Sequence, residues 1–206
     1  MKKVFLLCIL IAIMTEMNAQ DFNFGLRGGV NFASIGGDDV SGIDSRTSFQ
    51  FGAIAEFPLS EKFSLQPELL YSGQGGISEQ SVFVEGVNVN TETTLKLDYL
   101  SLPVFAKYYI VDNLSFEAGP QVAFLLDAEA DLEASDGNNN VSDSVDLSDE
   151  VKGIDFGINF GFGYKLDNGL NFSARYYQGI SNFNDTDGDV DLFNEVIQLS
   201  VGYYFF

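Results

Sequence analysis

From Phe22 onward, hydrophobic and polar residues change place at nearly every step. Phe22, Phe24, Leu26, Val30 and Phe32 alternate with Asn23, Gly25, Arg27, Gly29 and Asn31. A period of two is the mark of a strand with two unlike faces. The same beat returns over 48–57, 63–72, 114–124, 154–164, 170–176 and 197–205. Residues 93–110 are apolar on both parities, so they read as a strand without a clear register. The pattern predicts eight strands and no helix.

The spacing of these strands predicts how they are joined. Long connections of about 33–46, 73–92, 127–151 and 179–192 alternate with short ones of about 58–62, 111–113 and 165–169. The short ones carry turn chemistry: Pro58 to Lys62, Asp112-Asn113, and Leu166-Asp-Asn-Gly169. Tight turns on one side and long loops on the other suit a membrane barrel. Aromatic residues add to this. Phe57, Phe63, Tyr108, Tyr109, Phe116, Tyr164, Phe172, Tyr203 and Phe205 fall near the tight turns. Phe32, Phe49, Tyr71, Phe124, Tyr176 and Phe193 fall near the long loops. Two aromatic belts at the edges of an apolar band match two headgroup layers. The expected fold is all-β: an eight-stranded antiparallel transmembrane β-barrel with short periplasmic turns and long extracellular loops. The competing fold is a secreted soluble β protein with its phenylalanines turned into a core.

The first residues read as an address. Lys2-Lys3 precedes an apolar run from Val4 to Met14, and a polar stretch ends in Ala19. This is the layout of a secretory signal peptide, so 1–19 is the expected leader and 20–206 the barrel domain. Cys8, the single cysteine, lies in that run. The expected location is the bacterial outer membrane.

Charge narrows the function. The 206-residue chain has 30 acids, 10 bases and no histidine, for a net charge of −20. Nucleic acid needs a basic surface and is not an expected partner. Without histidine, Ser-His and Cys-His mechanisms are excluded. No Gly-x-Ser-x-Gly elbow appears. We expect no enzyme, no cofactor and no metal centre. The run Asp185-Thr-Asp-Gly-Asp-Val-Asp191 invites a calcium reading, but an EF-hand loop counted from Asp185 would need Gly and Glu where Val190 and Val196 stand.

The four long connections hold 19 of the 30 acids and a single base, Arg46. The third carries Asp127, Glu129, Asp131, Glu133, Asp136, Asp143 and Asp146 with no base. It reads as a solvated flap and as the expected partner-contact region. On the strand registers, Arg27, Glu56, Glu68, Glu117, Asp155 and Arg175 point into the lumen. Charges there must pair, because an unpaired buried charge is costly. Pro103 and Pro120 lie nearly opposite each other across the Asp112-Asn113 turn, so a bulge is expected to loosen the seam between the fourth and fifth strands.

Several segments resemble a known family. The ending Gln198-Leu-Ser-Val-Gly-Tyr-Tyr-Phe205 is similar to the terminal strand read by the barrel-assembly machinery, with Phe206 one residue beyond. Leu100-Ser-Leu-Pro-Val-Phe-Ala-Lys-Tyr-Tyr109, Phe24-Gly-Leu-Arg-Gly-Gly-Val-Asn-Phe32 and Ala174-Arg-Tyr-Tyr177 with Gly179-Ile-Ser-Asn182 resemble the outer-membrane β-barrel domain family that includes PorT-like and porin-family small barrel proteins. The resemblance implies the barrel, insertion by the assembly machinery, contact with lipid and lipopolysaccharide, and in some members a role in a secretion or surface complex. The expected function is a non-enzymatic barrel that anchors, binds or assists at the cell surface through acidic loops. The alternative is a small cation-favouring channel.

Overall fold

Nine antiparallel strands follow one another in the computed structural model, which describes residues 22–37, 42–84, 87–135, 140–185 and 190–205. The expected leader at 1–19 lies outside the described residues, as does Asp136. The strands are β1 (Asn23–Gly37), β2 (Ile43–Pro58), β3 (Phe63–Val84), β4 (Val87–Val111), β5 (Leu114–Ser135), β6 (Asn140–Asp146), β7 (Ile154–Lys165), β8 (Leu170–Gly179) and β9 (Leu192–Tyr204). Each of the first five pairs with its successor, β5 also pairs with β7, and the order continues through β8 and β9 back to β1. Eight strands therefore close into a ring. The ninth, β6, hangs on the upper part of β5 outside that ring.

The two faces of the wall are the reverse of a soluble protein's. Among the described residues, the buried set holds 22 polar or charged residues against 15 hydrophobic ones. Phe51, Leu69, Phe156, Ile158, Phe162, Ile197 and Val201 all face outward. Water would not tolerate a continuous apolar girdle of this kind, whereas a bilayer requires it. Rings meet within the girdle near the tight turns, with Phe63–Tyr108 at 5.0 Å and Phe116–Phe162 at 5.7 Å. They meet again nearer the loops, with Phe49–Tyr71 at 5.5 Å and Phe160–Tyr176 at 5.4 Å. Tyr109 departs from the expected belt. Its hydroxyl donates to Glu56 inside the lumen.

Two further expectations need correction. Residues 73–84, 87–92, 127–135 and 140–146 are strand, not free loop. Ala128, Ala130, Leu132 and Ala134 alternate with Glu129, Asp131 and Glu133, so the period-two rule applies to this acidic stretch as well. Nor is there a bulge at the prolines. Pro103 pairs with Gln121 and Pro120 with Ile158, and the β4–β5 register shifts only at Asp98/Tyr99 and Tyr109/Val111. The ladder skips the pairs between Pro103 and Ala106 but resumes in the same register. A proline removes one donor without inserting a residue.

Candidate functional site

The lumen is built from the inward parity of every ring strand. Seven ionised side chains come from seven of the eight strands: Arg27 (β1), Glu56 (β2), Glu68 (β3), Lys107 (β4), Glu117 (β5), Lys165 (β7) and Arg175 (β8). β9 contributes the Tyr204 hydroxyl, which donates to Gln66 at 2.7 Å. Glu68 accepts from Arg27 at 2.7 Å and from both terminal nitrogens of Arg175 at 2.9 and 3.0 Å. Glu117 accepts from Arg175 Nε at 2.8 Å and pairs with Lys107 at 3.2 Å. Arg175 also stacks on the Phe105 ring at 3.8 Å. Nearer the tight turns, Glu56 pairs with Lys165 at 3.2 Å and with Lys107 at 3.8 Å. An open cup of about 540 Å³ leads down to Glu56, Tyr109, Lys165 and Tyr204 from that end.

Glycines let this cluster fit. A Cβ at Gly163 would sit 2.2 Å from a Glu117 oxygen, and one at Gly157 would sit 2.4 Å from the Tyr177 ring. The space over these two inward glycines is thus taken by side chains of the neighbouring strands β5 and β8.

Of the six charges expected in the lumen, Arg27, Glu56, Glu68, Glu117 and Arg175 lie in one connected cluster. Asp155 is buried but apart from it. It accepts from Tyr177 at 2.8 Å, Ser181 at 2.6 Å and Asn194 at 3.1 Å, all neutral donors. Lys107 and Lys165 belong to the cluster and were not anticipated. Both were within reach of simple counting. With the turn at Asp112-Asn113, Lys107 stands opposite Glu117. Lys165 continues the inward series of Asp155, Asn159 and Gly163.

The loop end has a second closure. Ile35, Leu97, Tyr99, Ala123, Ala128, Val151 and Phe183 pack into one buried apolar cluster. Val151 and Phe183 come from the connections that follow β6 and β8, and these fold together over the mouth. The backbone N–H of Lys152 donates to Phe183 O at 2.8 Å, and that of Asp185 to Glu150 O at 2.9 Å.

Beyond this cap, the upper parts of β3, β4 and β5 continue with β6 as a four-stranded blade. Glu79, Glu92 and Glu133 stand opposite one another in a row that ends at Ser142. These residues line a concavity of about 560 Å³. Glu129 and Asp131 lie on the same face beside Lys96, which pairs with both carboxylates. That ammonium holds the Asp131 carboxyl below its ordinary value, chiefly by hydrogen bonding, and is itself raised in return. The Ser148 backbone N–H lowers Asp146 in the same way. Of the expected contact residues, Glu129, Asp131, Glu133, Asp143 and Asp146 are on the blade. Asp127 lies at its base opposite Asp98.

The sequence matches the profile of the outer membrane protein beta-barrel domain over residues 18–185. The chain belongs to that family. It is an outer-membrane barrel, and its tight turns accordingly face the periplasm and its blade the outside. No curated protein sequence matched it. Among solved structures, Neisserial surface protein A is similar at a TM-score of 0.50 and 12% identity, covering 90% of this chain and 100% of that one. Ail, the attachment invasion locus protein of Yersinia pestis, is similar at 0.48 and 10%, with the same coverage. At 12% identity the likeness to Neisserial surface protein A is one of fold.

Proposed function

We propose that this barrel is a sealed, non-enzymatic surface protein that binds or anchors a partner through its acidic blade. The blade carries the reading. It is an ordered sheet beyond the membrane band, with Glu79, Glu92, Glu129, Asp131, Glu133 and Asp146 on one face. Two closures, the ion-paired cluster and the apolar cap, stand across the lumen and argue against the channel alternative. The buried carboxylates of the lumen cluster are tied to cations, and the chain has no histidine to act as a base. Insertion would draw on the barrel-assembly machinery through β9, and the girdle would contact lipid and lipopolysaccharide. The same blade would serve membership in a secretion or surface complex.

The test is to excise residues 131–144 and join Ala130 to Val145 by Asn-Gly. These two residues pair directly across β5 and β6, so a two-residue turn bridges them. The shortened barrel should fold and insert, and any protein co-extracted in gentle detergent should be lost. Retention of that protein, or discrete cation-favouring conductance steps from the intact chain in planar bilayers, would contradict the reading.

A further inference from the structure

We propose that the outer edge of β6 is a docking edge for an extended segment of a partner protein that alternates basic and small apolar residues. The inference rests on the surface-contact reading above and names the partner's chemistry.

Leu147 donates its N–H to Ala128 O at 2.8 Å. Counting along the register, Val145, Val141 and Asp143 also face β5 with their backbone groups. The N–H and C=O groups of Asn140, Ser142, Ser144 and Asp146 therefore point away from the sheet. Among the described residues no strand pairs with that side. Such an edge is a template for another strand. It is only lightly guarded: the Ser144 N–H is held by its neighbour Asp143 at 2.9 Å, an exposed local bond that an incoming carbonyl can replace.

The side chains choose the occupant. A strand added at the usual spacing of about 4.8 Å extends the rows already present. One row runs Glu79, Glu92, Glu133, Ser142, and the next strand's residue completes it. Like charges facing across a sheet destabilise it. Among the described residues none of the three glutamates has an ion-pair partner. The parallel rows end in Ser144 beside Asp131 and in Asp146 beside Glu129. Lysine or arginine on this face of the added strand would reach all three rows. On the opposite face, Val141 and Val145 are 67% and 41% exposed, and small apolar residues would cover them. A second copy of the chain fits poorly, because β6 carries Asp143 and Asp146 and no lysine or arginine to meet the acidic rows.

The probe is the labelled heptapeptide Lys-Val-Lys-Thr-Lys-Val-Lys, titrated by fluorescence anisotropy onto the full barrel in nanodiscs of neutral lipid. Binding should saturate and weaken with salt. Ser144→Pro, which removes one outward N–H, should weaken it at least tenfold, while Ser144→Ala should change it less than twofold. Two N-methylated peptides, one blocked at the lysine amides and one at the valine and threonine amides, should differ, with only one of them binding. Equal binding by both methylated peptides, or by the proline variant, would reduce the site to plain electrostatics and overturn the proposal. Absence of saturable binding would do the same, as would self-association of barrels through this edge. A co-extracted partner lost on excision of 131–144 but kept by Ser144→Pro would overturn the edge and spare the surface-contact reading. The converse, peptide binding with a partner indifferent to the excision, would support the edge and sink that reading.

Discussion

Replacing Arg175 by methionine keeps a long apolar stem against Phe105 but leaves two buried carboxylates short of a cation. Glu68 retains Arg27 at 2.7 Å, and Glu117 retains Lys107 at 3.2 Å. The three fully buried cations and three carboxylates of the cluster become two and three. Breaking a buried ion pair by removing one partner costs about 3–5 kcal/mol. Because each carboxylate keeps one cation, the lower end applies. We expect a loss of about 3 kcal/mol, or about a hundredfold in the folding equilibrium. Adding Glu117→Gln restores the balance of charge and should recover most of the loss, leaving about 1 kcal/mol for imperfect hydrogen bonds. The assay is reversible unfolding by guanidinium in detergent micelles. It is followed by tyrosine fluorescence, since the chain has no tryptophan, and by the gel-mobility difference between folded and unfolded barrels. A single variant that loses under about 1 kcal/mol, or a double variant as unstable as the single, would refute the view that this cluster stitches the wall together by charge.

Gly157→Ala should destabilise the barrel by about 1–3 kcal/mol through overpacking against Tyr177, whereas Gly153→Ala, with nothing within 4 Å of its Cβ, should be neutral in the same unfolding assay. Phe183→Ala should loosen the extracellular cap, so the Lys152 amide that bonds to Phe183 O should exchange with solvent at least tenfold faster while lumen amides do not change. The Lys96–Asp131 contact should depend on pH in a defined direction. Asp131 is lowered from 3.8 and Lys96 raised from 10.5, so their contribution is complete in the neutral range. It is lost as pH falls through the folded Asp131 value, or as pH rises through the folded Lys96 value. Amide exchange at the upper part of β5 should accelerate at pH 3 relative to pH 6 after correction for intrinsic rates, and Lys96→Met should abolish that difference.

Much of the ring could be read from period two alone, because a strand between lipid and a packed lumen must differ on its two faces. Period two is weakest where the inner face changes character. Along β4 the inward residues are Leu97 and Tyr99 under the cap, then Ser101 and Lys107 in the lumen. With an apolar outer face as well, 93–110 shows no alternation, so Lys107 is reached by counting back from the Asp112-Asn113 turn and not by the pattern. Charge alone reads the third connection, 127–151, as a flap, although Ala128, Ala130, Ala134, Val141 and Val145 mark a strand face. Asp155 illustrates the limit of parity. It fixes which side a residue faces, but not whether a cation from a distant strand stands at the same height.

Residues 129–135 and 140–146 form an ordered sheet with one open edge beyond a closed barrel. Residue-resolved amide exchange by NMR, on the full chain in lipid nanodiscs, tests it directly. Protected amides are expected at Val141, Asp143 and Val145, which face β5, alternating with fast ones at Ser142, Ser144 and Asp146, with protection throughout Glu129 to Ala134. Uniformly fast exchange from 129 to 146 would contradict it and return this stretch to a solvated acidic loop.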